Sequence, residues 1–408
     1  MIYKRKTWTD ESDVPYPNWY EQKKRLKDNY WYKMLPAQSA QEVLKQLHEA
    51  WKSYFKLLKT KRVENPKPPR FKHENFNIRF LNNSFKILGN KIRLTISKQM
   101  KEYFKQKYSI QPKFLYIDLP KEINGRVKII EIIPLDKKYK VNIISDLPDA
   151  IIKEDNGIYM GIDLGINNLA AIYVSKGKNY LISGRQILSI NRYFGKKIAY
   201  YQSIAYKGQT VKGIKHLKPT KRIIKLYQKR SKQIFHAIHA ATKKIIDLAK
   251  ENDVSKIIIG DLKGIKNGKN LGTVNNQKFH SWAFSKIVEQ IRYKAEEQGI
   301  EVILIDESYT SSCSPYSEDV NANYASKDYR KFRGLFIVSG RAYNADSVGA
   351  YNILRKYLRG IGKPSPAVVA LDTPVVYLWN PTNAEAYKAV SLLSNFTTKQ
   401  EFILVSII

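Results

Sequence analysis

Apolar residues change their spacing along the chain, and the changes divide it into three zones. Between residues 20 and 62 the spacing is helical and predicts two helices. The second is marked by Val43, Leu44, Leu47, Trp51, Phe55 and Leu58 at three- and four-residue intervals. Asn65-Pro66-Lys67-Pro68-Pro69-Arg70-Phe71 then stops helix and begins extended chain, since proline lacks an amide donor and restricts its predecessor. Alternating runs follow at 78–81, 85–88, 92–96, 114–119, 127–133 and 139–144, which predict a small β-barrel or sandwich. Its first strand is expected in the basic, aromatic segment from Ile2 to Trp8. The order implies a helical lobe (19–63) inserted into a β-domain made of 1–18 and 64–155.

The second zone, 156–358, alternates strand and helix signals. Strands at 158–164, 169–174 and 179–183, joined by Asn167-Asn168 and Lys176-Gly177-Lys178, form a predicted meander. A basic helix is expected over 219–250, with Ile223, Tyr227, Ile234, Ile238, Ile245 and Leu248 as its buried stripe. Next come a buried strand at 256–260, a Gly/Asn-rich loop at 263–278 and a helix at 281–298 capped by Ser281. A strand at 301–306, an irregular insert at 308–343 and a helix at 346–358 complete the zone. This is the order of a ribonuclease-H-like α/β fold. The third zone opens on Gly360-Ile361-Gly362-Lys363-Pro364-Ser365-Pro366, a linker by composition, and 359–408 reads as a tail without a usable motif.

Two carboxylates stand at the ends of these elements. Asp163 ends an apolar strand in Gly-Ile-Asp-Leu-Gly (161–165), and Asp346 begins the last helix in Asn-Ala-Asp-Ser-Val-Gly-Ala-Tyr-Asn-Ile-Leu (344–354). Carboxylates brought together from distant elements are what a Mg²⁺-dependent phosphodiester nuclease requires, because each supplies hard oxygen ligands. Charge names the substrate. The 408 residues carry 71 Lys and Arg against 36 Asp and Glu, a net charge of +35, and residues 207–250 hold 13 basic side chains and 1 acidic one. Such a field fits polyphosphate backbones, and 28 Tyr and 6 Trp are available for base stacking. The single cysteine, Cys313, excludes a disulfide framework and any Cys-based zinc cluster within the chain. No N-terminal apolar segment resembles a leader and no apolar run approaches about 20 residues, so a cytoplasmic prokaryotic protein without a membrane partner is expected.

Five ordered motifs carry a resemblance. Gly161–Gly165, Ile-Ile-Ile-Gly-Asp-Leu-Lys-Gly-Ile (257–265), Tyr-Lys-Ala-Glu-Glu-Gln-Gly-Ile (293–300), Asp-Glu-Ser-Tyr-Thr-Ser (306–311) and Asn344–Leu354 together resemble the RuvC-type nuclease domain of the TnpB family. That family comprises transposon-encoded, RNA-guided DNA endonucleases related to compact type V CRISPR effectors. Pro-Pro-Arg-Phe-Lys (68–72) resembles a phrase of its wedge domain. The resemblance implies an RNase H-like (RuvC) α/β nuclease domain, an N-terminal β-barrel wedge domain and an inserted helical recognition lobe. It further implies two Mg²⁺ ions, a guide RNA derived from the transposon end, a double-stranded DNA target beside a short flanking motif, and a monomer.

The chain departs from that pattern twice. The family's glutamate before Asp-Leu is Gly260 here, so Asp163 and Asp346 need a third carboxylate. Glu307, just past strand 301–306, is one candidate, and some family members place the glutamate in that region. Asp261 is the other, although strand alternation sends it to the face opposite residue 260. Without either, the protein would be a nuclease-dead, RNA-guided DNA binder; a strand-joining transposase is a third reading. The family's zinc ribbon is also degenerate: only Cys313 remains, Tyr316 stands at its partner position, and no zinc is expected. His236 and His239 read as packing residues. Asp163, Glu307 and Asp346 are thus the expected catalytic, metal-binding set. Lys4, Arg5, Lys6, Trp8, Lys23, Lys24, Arg25, Lys27, Arg70, Lys221, Arg222, Lys229 and Arg230 are candidate nucleic-acid contacts. In the insert, Lys327, Arg330, Lys331, Arg333 and Arg341 join them, Arg341 being a candidate phosphate clamp.

Overall fold

The computed structural model describes residues 16–70, 76–261, 284–380 and 387–390, except positions 121, 124, 136–137, 149, 215–216, 331 and 333. Ile2–Trp8, the loop 263–278 and Ser281 lie outside the described residues, as do Lys331 and Arg333. The chain divides into two compact units, Met1–Pro148 and Asp149–Ile408.

In the first unit, helix α1 (Trp19–Leu26), the single turn α2 (Tyr30–Lys33) and α3 (Ala37–Thr60) precede the strands. Asn18 caps α1 by accepting from the amides of Tyr20 and Glu21. The alternating runs form two three-stranded antiparallel sheets. One orders β1 (Ile78–Leu81), β5 (Arg126–Leu135) and β6 (Lys138–Asp146); the other orders β2 (Phe85–Leu88), β3 (Lys91–Thr95) and β4 (Phe114–Asp118). Buried Phe80, Ile92, Leu94 and Ile130 form the core they share. Among the described residues this is a pair of sheets, and the strand expected to begin a barrel falls outside them. Arg79 ties α3 to the first sheet, pairing with Glu42 at 3.2 Å and Glu131 at 2.9 Å. A helix α4 (Lys98–Tyr108), capped by Ser97, joins β3 to β4 where no helix was expected.

The second unit is built on a seven-stranded sheet. The meander β7 (Tyr159–Asp163), β8 (Asn168–Val174) and β9 (Asn179–Ser183) is antiparallel, while β10 (Lys256–Asp261) and β11 (Glu301–Asp306) run parallel to β7. Across the sheet these five read β9-β8-β7-β10-β11, the ribonuclease H order. Strand residues alternate between two cores. Met160, Ile162, Ile257 and Ile259 face helices α5 (Arg185–Val211), α6 (Lys221–Glu251) and α7 (Phe284–Glu296). Tyr159, Tyr173 and Ile258 face α8 (Ala345–Gly360) with Val348, Tyr351 and Leu354. Helix α8 approaches β7 so closely that a Cβ on Gly161 would lie 2.5 Å from Ala350 O, a contact only glycine allows.

Three expectations change. The unit boundary falls after Pro148 rather than near 155, because the incoming chain hydrogen-bonds to the second unit, Lys153 N to Gly299 O at 2.8 Å. The insert is not wholly irregular: β12 (Leu335–Val338) and β13 (Arg341–Asn344) form a hairpin against α8. The segment after 359 is not a detached tail. Its β14 (Val375–Trp379) adds parallel to β9 and β15 (Tyr387–Val390) pairs with β14, extending the sheet. Leu371 and Tyr387 are buried, and Tyr173 and Tyr351 donate to the carbonyls of Ala367 and Pro366. Among the described residues no helix is long and apolar enough to cross a membrane.

Candidate active site

The C-terminal ends of β7, β10 and β11 and the first turn of α8 meet at one end of the sheet. Asp163 closes β7 on the α8 side, and a Cβ on Gly349 would stand 2.5 Å from Asp163 Oδ2. Gly349 therefore admits the carboxylate against the helix. Asp346 lies in the first turn of α8, where Asn344 caps by accepting from the amides of Asp346 and Ser347 at 3.1 Å each. One Asp346 oxygen accepts from Asn168 Nδ2 at 2.9 Å, and the other pairs with Arg330 at 3.3 Å.

Glu307 follows β11, and Gly260 makes room for it. A Cβ on Gly260 would lie 3.0 Å from Glu307 Oε2 and 3.1 Å from Glu307 Cβ. The side chain missing at 260 and the one present at 307 thus compete for the same space. Asp261 pairs in register with Asp306 and, as the strand neighbour of Gly260, is directed to the opposite face.

Electrostatics ties the three carboxylates together. Burial beneath α8, then the negative charges of Asp346 and Glu307, push the Asp163 carboxyl up to about 7, against the opposing pull of Arg330. The donor set suits a hard divalent cation in kind, since all three groups are carboxylates whose mutual repulsion a cation would relieve. It is not drawn closed: among the described residues no three acidic, His or Cys groups stand near enough to hold an ion between them. Asp346 is instead engaged by Asn168 and Arg330.

The cationic candidates fall on several surfaces. Lys23, Lys24 and Arg25 occupy the last turn of α1 with Lys27 capping it, and Arg70 is exposed. Lys4, Arg5, Lys6 and Trp8 lie outside the described residues. Helices α5 and α6 pair, and no acidic residue occurs between Arg185 and Ile246. Lys221, Arg222 and Lys229 are exposed along α6, Arg222 lying over the Tyr201 ring at 4.0 Å, while Arg230 donates to Asn191 Oδ1 at 2.9 Å. Exposed Tyr193 and Tyr200 stand on the same hairpin. His236 packs edge-on against Trp379 and His239 against Phe235. Arg341 lies beside the hydrogen-bonded Tyr316 and Tyr343 hydroxyls, and in the insert it is Arg330 that pairs with a site carboxylate.

Comparisons with known proteins converge on these elements. The family "Probable transposase" (OrfB_IS605) matches residues 143–266, and "Cas12f1-like, TNB domain" matches residues 284–353. "TnpB-like protein ORF457" of Acidianus two-tailed virus is 25% identical over 372 residues, covering 84% of this chain and 75% of that protein. The chain is a relative of TnpB and the compact type V effectors. "CRISPR-associated endodeoxyribonuclease Cas12f1" of Sulfoacidibacillus thermotolerans is 28% identical over 228 residues, 54% of this chain and about half (52%) of that protein. A structure titled "Cryo-EM structure of the Cas12f1-sgRNA-target DNA complex" shares the fold at a TM-score of 0.54 and 19% identity, covering 78% of this chain and 70% of that one. The two matched segments of this relative of TnpB contain Asp163, Glu307 and Asp346.

Sequence reasoning did not single out Asn168 or Gly349. By sequence, Asn168 is a turn residue and Gly349 part of a motif. A glycine three residues after a helix-borne acid was the available signal for a second carboxylate pressed against that turn.

Proposed function

We propose that the protein is an RNA-guided, Mg²⁺-dependent DNA endonuclease of a transposable element. It would cut guide-matched double-stranded DNA beside a short flanking motif and act as a monomer. One observation carries the reading: Asp346 and Glu307 both bear on the Asp163 carboxyl at one end of a ribonuclease H sheet, in a chain of net charge +35. Asp163, Glu307 and Asp346 would hold two Mg²⁺ ions. When bound, the ions supply Lewis-acid activation of water and stabilise the departing 3′-oxygen. Asn168 orients the Asp346 carboxylate, Gly349 and Gly260 leave space for Asp163 and Glu307, and Arg330 is placed to exchange Asp346 for a phosphate oxygen. The acid-free α5–α6 hairpin and the cations of α1 would take nucleic-acid backbone. The first unit would hold the RNA scaffold and read the flanking motif. Sequence choice belongs to base pairing with the guide, which comes from the transposon end.

A second reading, a nuclease-dead RNA-guided DNA binder, is favoured by Gly260 and by the Arg330 ion pair on Asp346. Both meet one experiment: cleavage of a guide-matched plasmid by the protein with its co-purifying RNA, with and without Mg²⁺. Nicked or linear product lost in Asp163→Ala and Asp346→Ala, with RNA binding retained, supports the nuclease. Binding without cutting by the unaltered chain supports the second reading, and joined strands would point to a transposase.

A further inference from the structure

Helix α8 does more than carry Asp346. Past its first turn it holds the end of β11 and the chain that follows, mostly by backbone carbonyls, at three successive places. Lys356 Nζ reaches Asp306 Oδ2 at 2.9 Å and Ser308 O at 3.2 Å. Asn352 Nδ2 donates to Thr310 O and Cys313 O, both at 2.8 Å. The Arg355 guanidinium donates through Nη1 to Pro315 O at 2.7 Å and Ser317 O at 2.9 Å. Through Nη2 it donates to Ser314 O at 3.1 Å and Ser317 Oγ at 3.0 Å, with Asp319 O at 3.5 Å.

Two of these side chains lie in the interior, and Lys356 holds its pair with Asp306 at the surface. Asn352 is fully buried and Arg355 is 3% exposed. Burying a guanidinium is costly where its donors are unsatisfied; here Nη1 and Nη2 meet turn carbonyls and a hydroxyl, while the buried Nε has no partner. Such an arrangement fixes the path of a loop, because the planar fork permits few geometries. The loop adds its own turn: Glu307 O accepts from Thr310 N at 3.2 Å and Thr310 Oγ1 at 2.8 Å. Glu307 is therefore bracketed, by Lys356 at residues 306 and 308 and by Asn352 at residue 310.

We propose that Lys356, Asn352 and Arg355 are positioning residues for Glu307. Together they clamp residues 306–319 to the helix that bears Asp346 and, at Gly349, touches Asp163. The spacing of all three carboxylates is then set by one rigid element. This rests on the reading of Glu307 as a metal ligand, and the same helix that orders the insert tunes the metal.

The test uses the full chain with its RNA and Mn²⁺ as the probe. Mn²⁺ affinity is read by titration calorimetry at pH 7.5, and hydrogen exchange is followed across residues 308–319. Arg355→Lys keeps charge and bulk but loses the fork; Lys356→Gln keeps length but loses charge. Each should weaken Mn²⁺ binding about 10-fold, as loss of a supporting contact does, and speed exchange across the loop. Lys356→Arg should restore both to near the unaltered values. Unchanged Mn²⁺ affinity in Arg355→Lys and Lys356→Gln, with Glu307→Gln still impaired, overturns the positioning role while leaving Glu307 a ligand. If Glu307→Gln itself binds Mn²⁺ as the unaltered chain does, the ligand reading fails and the positioning role falls with it.

Discussion

At residue 260 a side chain is missing, and residue 307 uses the space. If Glu307 is the third ligand, Glu307→Gln should reduce plasmid cleavage nearly as far as Asp163→Ala, by about 10³-fold or more, because the amide cannot hold a cation beside a polyanion. Asp261→Asn, on the opposite strand face, should cost less than about 5-fold. The reverse ranking would transfer the ligand to Asp261. Because a side chain at 260 would press tightly on that of Glu307, a transplanted glutamate is expected to need an emptied partner. Gly260→Glu should therefore recover activity in a Glu307→Ala background and not in Glu307→Gln. Asp163 makes a separate prediction without any metal. Its folded carboxyl titrates near 7, against an ordinary value of about 3.9 in the unfolded chain. The native state then binds more protons between these values, so stability falls as pH rises from about 4 to about 7. Asp163→Asn should melt above the unaltered protein at pH 8 in EDTA and at nearly the same temperature at pH 4. A difference constant across that range would show that Asp163 carries no raised pKa.

Elements were legible where period and punctuation agreed. Ile78–Leu81, Phe85–Leu88 and Asn179–Ser183 fall where alternation and flanking turns place them, and α6 begins at its Thr220 cap. Helix α5 was not foreseen, although Ile187, Ile190, Phe194 and Ile198 give it a buried stripe at helical spacing. It starts after Gly184 without a capping side chain and contains Gly195 and Gly208, so nothing announced its ends. Strand β14 was missed because its partner, β9, lies nearly two hundred residues earlier, and β15 is placed only through its pairing with β14. That correction yields a test. Ending the chain after Gly360 removes buried Leu371 and Tyr387, about 3–6 kcal/mol of burial, and uncovers the β9 edge. The truncated protein should melt about 10 °C lower or more, or fail to stay in solution. A melting point within about 2 °C of the full chain would mean that the added strands are dispensable. The three acidic positions of the candidate site could be picked out in the sequence, but their neighbours could not. The contacts of Asn168 with Asp346 and of Gly349 with Asp163 join residues far apart in sequence, and no spacing rule predicts them.

Across the whole molecule, charge and geometry play separate parts. Three carboxylates lie at one end of the second unit's sheet, where Asp346 and Glu307 both oppose ionisation of Asp163, while a net charge of +35 is spread through both units. The acidic end would by itself repel a phosphodiester. A cation held by the carboxylates would reverse that sign, so backbone binding and metal binding should support each other. Affinity for RNA should then be governed by counterion release rather than by a few specific contacts. If six or more phosphates are neutralised, the dissociation constant should rise by about 10³-fold between roughly 50 and 200 mM salt. Replacing Lys221, Arg222 and Lys229 by glutamine should flatten the logarithmic slope by about 2–3 if the α5–α6 hairpin tracks the backbone. Filter binding or fluorescence anisotropy across a salt series measures both quantities. An unchanged slope in the triple variant would remove this hairpin from the interface, and a flat response in the unaltered chain would mean that its positive surface does not engage phosphate at all.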